Sequence, residues 1–136
     1  MSPVTINYLA VLVCSLLGFG LGALWYGPLF GKPWMKELGK TEDELRKEFD
    51  PAKTYTFAFV ATFIMILVLA YFISLTGAST IVEGIRVAFT AWTGFTLFTA
   101  VLVNLFERNS FKLLFINAFY HLVLLIVGSI ILILWV

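Results

Sequence analysis

Apolar residues along this 136-residue chain gather into four long runs, 6–27, 54–75, 84–105 and 112–135, with the polar positions collected between them. Each run supplies the roughly 20 apolar residues that a helix needs to cross a hydrocarbon layer about 30 Å thick. The pattern predicts an all-α membrane protein, a single-domain bundle of four transmembrane helices at about 6–27, 51–75, 80–105 and 110–135. Residues 28–50 are the one sizeable polar stretch and predict a short amphipathic, interfacial helical segment between helices 1 and 2. Gly27-Pro28 breaks the first helix. Pro33 opens a short helix that Gly39 ends, and Thr41 with Glu44 forms a capping box for a second one reaching Phe49. Asp50 caps the second long helix and Pro51 opens it, whereas Gly77 can end it. Thr80 with Glu83 makes another capping box, and Asn109 or Ser110 caps the last helix. Such short links predict that spans two, three and four meander as antiparallel neighbours, with span one packing back across them. No convincing internal repeat is present, which argues against a transporter built from obvious repeated halves.

Composition sharpens this picture. With 61% hydrophobic and 12% charged residues, the chain carries more apolar surface than so short a fold can hide, so lipid must cover much of it. The first run is too long for the apolar region of a signal peptide. No Lys or Arg precedes it between Met1 and Ile6, and Trp25-Tyr26-Gly27-Pro28 follows where small cleavage-site residues would stand, so it reads as a retained helix. Of the nine basic residues, Lys32, Lys36, Lys40, Arg46, Lys47 and Lys53 fall in the first connection, Arg108 and Lys112 flank the third, and only Arg86 falls on the other side. The positive-inside rule places connections 28–50 and 106–112 in the cytoplasm and both termini outside the cell membrane. Trp25, Tyr26 and Trp34 then sit where an inner aromatic belt belongs, with Lys32 in the headgroup layer and Trp135 at the opposite interface. Acids balance the bases of the first connection, so it reads as an amphipathic connector or, on a sharper reading, as a docking platform at 33–49 for a membrane partner protein. A net charge of +1 argues against a nucleic-acid partner.

Candidate chemistry is sparse. Cys14, Gly18 and Gly22 repeat every four residues on one face of span one, a small-residue seam suited to close helix packing within the chain or between subunits of a homo-oligomer. In span three, Glu83, Arg86, Thr90, Thr93, Gly94 and Asn104 fall within an arc of roughly 100°. Glu83 and Arg86 can pair near the outer surface, or Arg86 can contact an anion or a lipid headgroup in a polar vestibule. In span four, Asn117, His121 and Gly128 share a face. His121, the lone histidine, is either a neutral imidazole bonded to Asn117 or to a span-three threonine, or a group that titrates or binds substrate. Cys14 and His121 differ in depth by something near 5 to 10 Å at 1.5 Å per residue, too far for a nucleophile and its base. One histidine and one cysteine make no metal site and no disulfide, and no glycine-rich phosphate cradle is present. Neither an enzyme nor a cofactor is expected.

The run Ala23-Leu24-Trp25-Tyr26-Gly27-Pro28-Leu29-Phe30-Gly31-Lys32-Pro33-Trp34-Met35, with Trp92-Thr93-Gly94-Phe95 and the short link before span four, resembles the signature of the domain-of-unknown-function family 1761. The resemblance implies a small four-helix membrane fold and carries no activity over to any residue. From the residues themselves, the expected function is a small oligomeric transport or permeation protein for an unidentified solute or ion, its route lined by Arg86, Thr90, Thr93, Asn104, Asn117 and His121. The alternative is a structural or accessory subunit that docks its partner through 33–49.

Overall fold

The computed structural model describes residues 3–135, and within them the secondary structure is helical throughout. Helix α1 (Tyr8–Leu24) runs on into a π-helical turn (Trp25–Leu29). Two short helices follow, α2 (Gly31–Leu38) and α3 (Glu42–Glu48), and then the long α4 (Pro51–Thr76). The third long helix is composite: α5 (Ile81–Ala91), a second π turn (Trp92–Leu97) and α6 (Phe98–Glu107). Helix α7 (Phe111–Leu134) closes the chain. Four of these units, Tyr8–Leu29, Pro51–Thr76, Ile81–Glu107 and Phe111–Leu134, are long and apolar enough to cross a membrane.

Local chemistry sets most boundaries. The side chains of Asn7, Thr41, Asp50, Thr80 and Ser110 each accept a hydrogen bond from a backbone N–H three residues on, satisfying donors that a helix start leaves open. Gly39 (φ 71°) and Gly77 (φ 72°) end α2 and α4 in the left-handed region, where a Cβ would be strained. Gly27-Pro28, by contrast, does not break the first helix. Proline has no N–H to give, and the turn widens around it until the Phe30 N–H donates to the Trp25 carbonyl at 2.8 Å, five residues back. The chain turns only at Phe30. Gly31 lies so close behind that a Cβ there would stand 2.6 Å from the Tyr26 carbonyl oxygen.

The long helices gather around α7, which packs most extensively against α5 and also against α4 and α1, while α1 pairs with α4. The predicted meander is not what forms, because α4 and α5 scarcely touch although only a tight link joins them. Small residues explain the choice of centre. A Cβ on Gly128 of α7 would come within 3.1 Å of Ile66, and one on Gly84 of α5 within 2.7 Å of Ile133, so these backbones are already as near as side chains allow. Ile66, Leu69, Ala88, Trp92, Ala118, Leu124 and Leu125 form the core between them. The two ends differ in character. Thr5 bonds Ser74 and the Asn7 amide donates to the Trp135 carbonyl at one end, called here the terminal end, whereas the first and third connections share the other, the basic end.

Candidate functional site

Polar groups converge on one turn and a half of α7, residues 116 to 121. The Trp25 indole N–H donates to the Ile116 carbonyl (2.9 Å), the Tyr26 hydroxyl to the Asn117 amide oxygen (2.7 Å), and the Trp92 indole N–H to the Ala118 carbonyl (2.7 Å). Both tryptophans open a π turn. The wider turn carries each ring across to α7, so two separate irregularities grip the same stretch of one helix. Turns of this kind occur frequently at functional sites. From α7 the Tyr120 hydroxyl reaches back to the Gly18 carbonyl (2.9 Å), and the His121 Nδ1 lies 2.9 Å from the carbonyl of Asn117. A carbonyl can only accept, so Nδ1 carries a proton. Nε2 has no hydrogen-bond partner among the described residues.

A cleft lies near the terminal end, where α4 and α5 diverge from their link. Its volume is about 610 Å³, and Phe72, Glu83, Arg86, Thr90, Gly94 and Phe95 are among the residues that line it. Glu83 is taken up by its cap, with the Thr80 hydroxyl 3.1 Å from its carboxylate. The two ion pairs among the described residues, Lys40 with Glu48 at 2.5 Å and Arg46 with Glu42 at 2.6 Å, both belong to the first connection. Arg86 thus faces the cleft with no acidic partner within 4.0 Å. The pairing with Glu83 that their spacing allows does not form.

The remaining expected path residues lie apart from the cleft. Thr93 turns its hydroxyl back to the Phe89 carbonyl (2.8 Å), and Asn104 is buried, its amide donating to the Asn109 carbonyl across the third connection (2.9 Å). The π turn accounts for Asn104. Its extra residue rotates everything after it by roughly 100°, so the stripe of span three ends near Gly94. Asn117 and His121 belong to the cluster on α7.

The seam of span one is filled from within the chain. Cys14 is buried with its sulfur 4.0 Å from the Gly128 carbonyl, a Cβ on Gly18 would meet Leu124 at 2.8 Å, and one on Gly22 would meet the Tyr120 hydroxyl at 3.1 Å. The seam is therefore not free for a second copy. Gly20, on the exposed side of α1, has open space around it. Of the expected interfacial anchors, Trp25 and Tyr26 fasten the first helix to α7, Trp34 packs edge-on against Tyr26 at 5.0 Å, and Lys32 stays exposed. Cys14 contacts α7 seven residues beyond His121, about 10 Å along the axis, so the two form no dyad.

Tyr120, Gly84 and Asn7 carry roles that pattern reading passed over. Tyr120 is the hinge of the cluster, touching the rings of Trp25, Tyr26 and His121 as well as Gly18. A tyrosine deep in an apolar run must find a partner for its hydroxyl, and that requirement was the available signal.

These features define an all-helical protein with four helices of membrane-crossing length, held by a polar hub on the last. Residues 9–133 match the family described as Protein of unknown function (DUF1761), and the chain belongs to that family. No curated protein and no solved structure matches it significantly. Of the features that carry the family resemblance, the run Ala23 to Met35 contains the first π turn and Trp92 to Phe95 falls on the second.

Proposed function

We propose that the chain is an integral membrane protein that binds and passes a small organic anion through the cleft between α4 and α5. The observation that carries this reading is Arg86, an arginine with no acid within 4.0 Å, in a cleft walled by Phe72, Val87 and Phe95 and also lined by Thr90 and by Glu83, whose carboxylate accepts from the Thr80 hydroxyl. Arg86 stands five residues past the start of α5, about 8 Å along it and near the outer surface, where its guanidinium can meet an anion entering the cleft. Phenylalanine and valine walls suit the apolar part of a short-chain or aromatic carboxylate. The distribution of basic residues favours a cytoplasmic basic end, which on this reading turns the cleft toward the outside.

Helical geometry extends the route inward. His121 lies about 20° around α7 from Gly128, which faces α4, and about 60° from Ala118, which faces Trp92. It therefore borders the gap between α4 and the third helix. Gly84 packs between Ser129 and Ile133, and some ten residues further along each helix come Gly94 and His121, at matching depth. Arg86 selects, Thr90 lines, and His121 stands at the inner end. Asn117, Thr93 and Asn104 hold the frame. A second copy set against the open side of the cleft completes its wall, which is how a homo-oligomer serves the route.

The test is melting of the purified protein with acetate, benzoate, phosphate and sulfate, followed by uptake of the strongest stabiliser into proteoliposomes. Stabilisation by a carboxylate that Arg86→Gln removes, with uptake lost in the same variant, supports the reading. No stabilisation by any of the four contradicts it. One observation favours the docking alternative: the charged side chains of α3 are all exposed, and none of the broader helix contacts involves it. Loss of function on changing Leu45 or Phe49, with Arg86→Gln silent, selects that alternative.

A further inference from the structure

The basic end carries a second groove, on another side of α7. Its volume is about 660 Å³, its walls include Trp25, Phe30, Phe115, Phe119 and Val123, and Lys112 stands at its mouth. Phe119 lies roughly 160° around α7 from His121, so this groove does not join the cleft. Its walls ask for nothing polar. The one polar side-chain atom of Trp25 is already bonded to the Ile116 carbonyl at 2.9 Å. Lys112 differs from the groove below it: it is exposed, it has no acid within 4.0 Å among the described residues, and nearby Glu107 accepts from the Asn109 amide at 3.0 Å.

From Lys112 to Val123 the groove follows α7 for eleven residues, about 16 Å. That is close to half of a hydrocarbon layer of about 30 Å, the depth of a single leaflet. A cation at headgroup level above a leaflet-deep apolar channel is complementary to one kind of molecule. We infer that this groove holds an acyl chain of an anionic phospholipid from the leaflet at the basic end, its net negative headgroup against the Lys112 ammonium. The inference rests on the membrane placement proposed above and not on the anion route.

The experiment is native mass spectrometry of the full chain released from nanodiscs made of equal parts phosphatidylglycerol and phosphatidylcholine with identical acyl chains. The expected result is one retained lipid per chain, with phosphatidylglycerol enriched about fivefold, the ratio that corresponds to ~1 kcal/mol for one basic side chain at an anionic surface. Lys112→Gln brings the ratio to about one, and Val123→Trp, which fills the channel, removes the lipid. Lys53→Gln, a basic-end lysine outside the groove, leaves the enrichment intact. Equal retention of both lipids by the unaltered chain overturns the inference, as does an equal loss of enrichment in Lys53→Gln and Lys112→Gln. Failure of the protein to enter nanodiscs at all contradicts the membrane placement instead.

Discussion

The third and fourth long helices are nearly the same length, 27 and 24 residues, and both are apolar enough to cross a membrane, but they do opposite work. Helix α7 is packed by α1, α4 and α5 and collects the hydrogen bonds of both π turns. The third helix has one broad contact, with α7, and leaves Arg86, Thr90 and Gly94 along an open flank. Its phenylalanines point outward, Phe95 at 73% and Phe106 at 84% exposure. The difference shows what decides position in such a bundle. All four helices are apolar enough to cross a membrane, so hydrophobicity does not rank them; small residues and buried polar groups do.

Replacing one glycine on each side of the third helix breaks or sharpens that contrast. Gly84→Leu drives a side chain into Ile133 and is expected to cost about 1–3 kcal/mol, read as a large drop in melting temperature. Gly94→Leu, with open space around its Cβ, should leave melting nearly unchanged. Equal effects would mean that the two flanks do not differ. The grip on α7 ranks next. Trp92→Phe removes one buried indole donor and Tyr26→Phe one hydroxyl donor, each expected to lower stability by about 0.5–1.5 kcal/mol in denaturant titration. Because both bonds end on adjacent residues of α7, the double variant should depart from additivity; a simple sum would show that the π turns act independently. Arg86→Gln has the smallest expected effect on stability, within about 0.5 kcal/mol as for a surface change, while it abolishes stabilisation by a carboxylate.

Much of this fold was legible in the chain. Thr41, Asp50, Thr80, Ser110, Gly39 and Gly77 mark their boundaries by local hydrogen bonding and backbone freedom, which depend on few neighbours. The π turns were not legible, because an α-periodic reading assumes a constant 100° step; Pro28 was read as a break, and Asn104 was assigned to a stripe that the second π turn rotates away. Helix order was hidden for another reason. Short links favour neighbours in sequence, and the small residues that let α7 take the centre, Ala118, Gly128 and Ser129, sit among many other small residues whose partners only the packed structure reveals. Of the candidate site, the chain pointed to Arg86, Thr90, Asn117 and His121 but not to Tyr120, the side chain that ties α7 to α1.

The central claim is that the flank of the third helix lines a watered cleft and does not face lipid. A single cysteine at Thr90 or Gly94, in a Cys14→Ala background and reconstituted in liposomes, tests it with a charged, membrane-impermeant thiosulfonate. The account predicts labelling at both positions, slowed by a carboxylate that stabilises the protein, while a cysteine at Val103, exposed elsewhere on the same helix, stays unlabelled. Labelling absent at Thr90 and Gly94 alike would place lipid in the cleft and contradict the route.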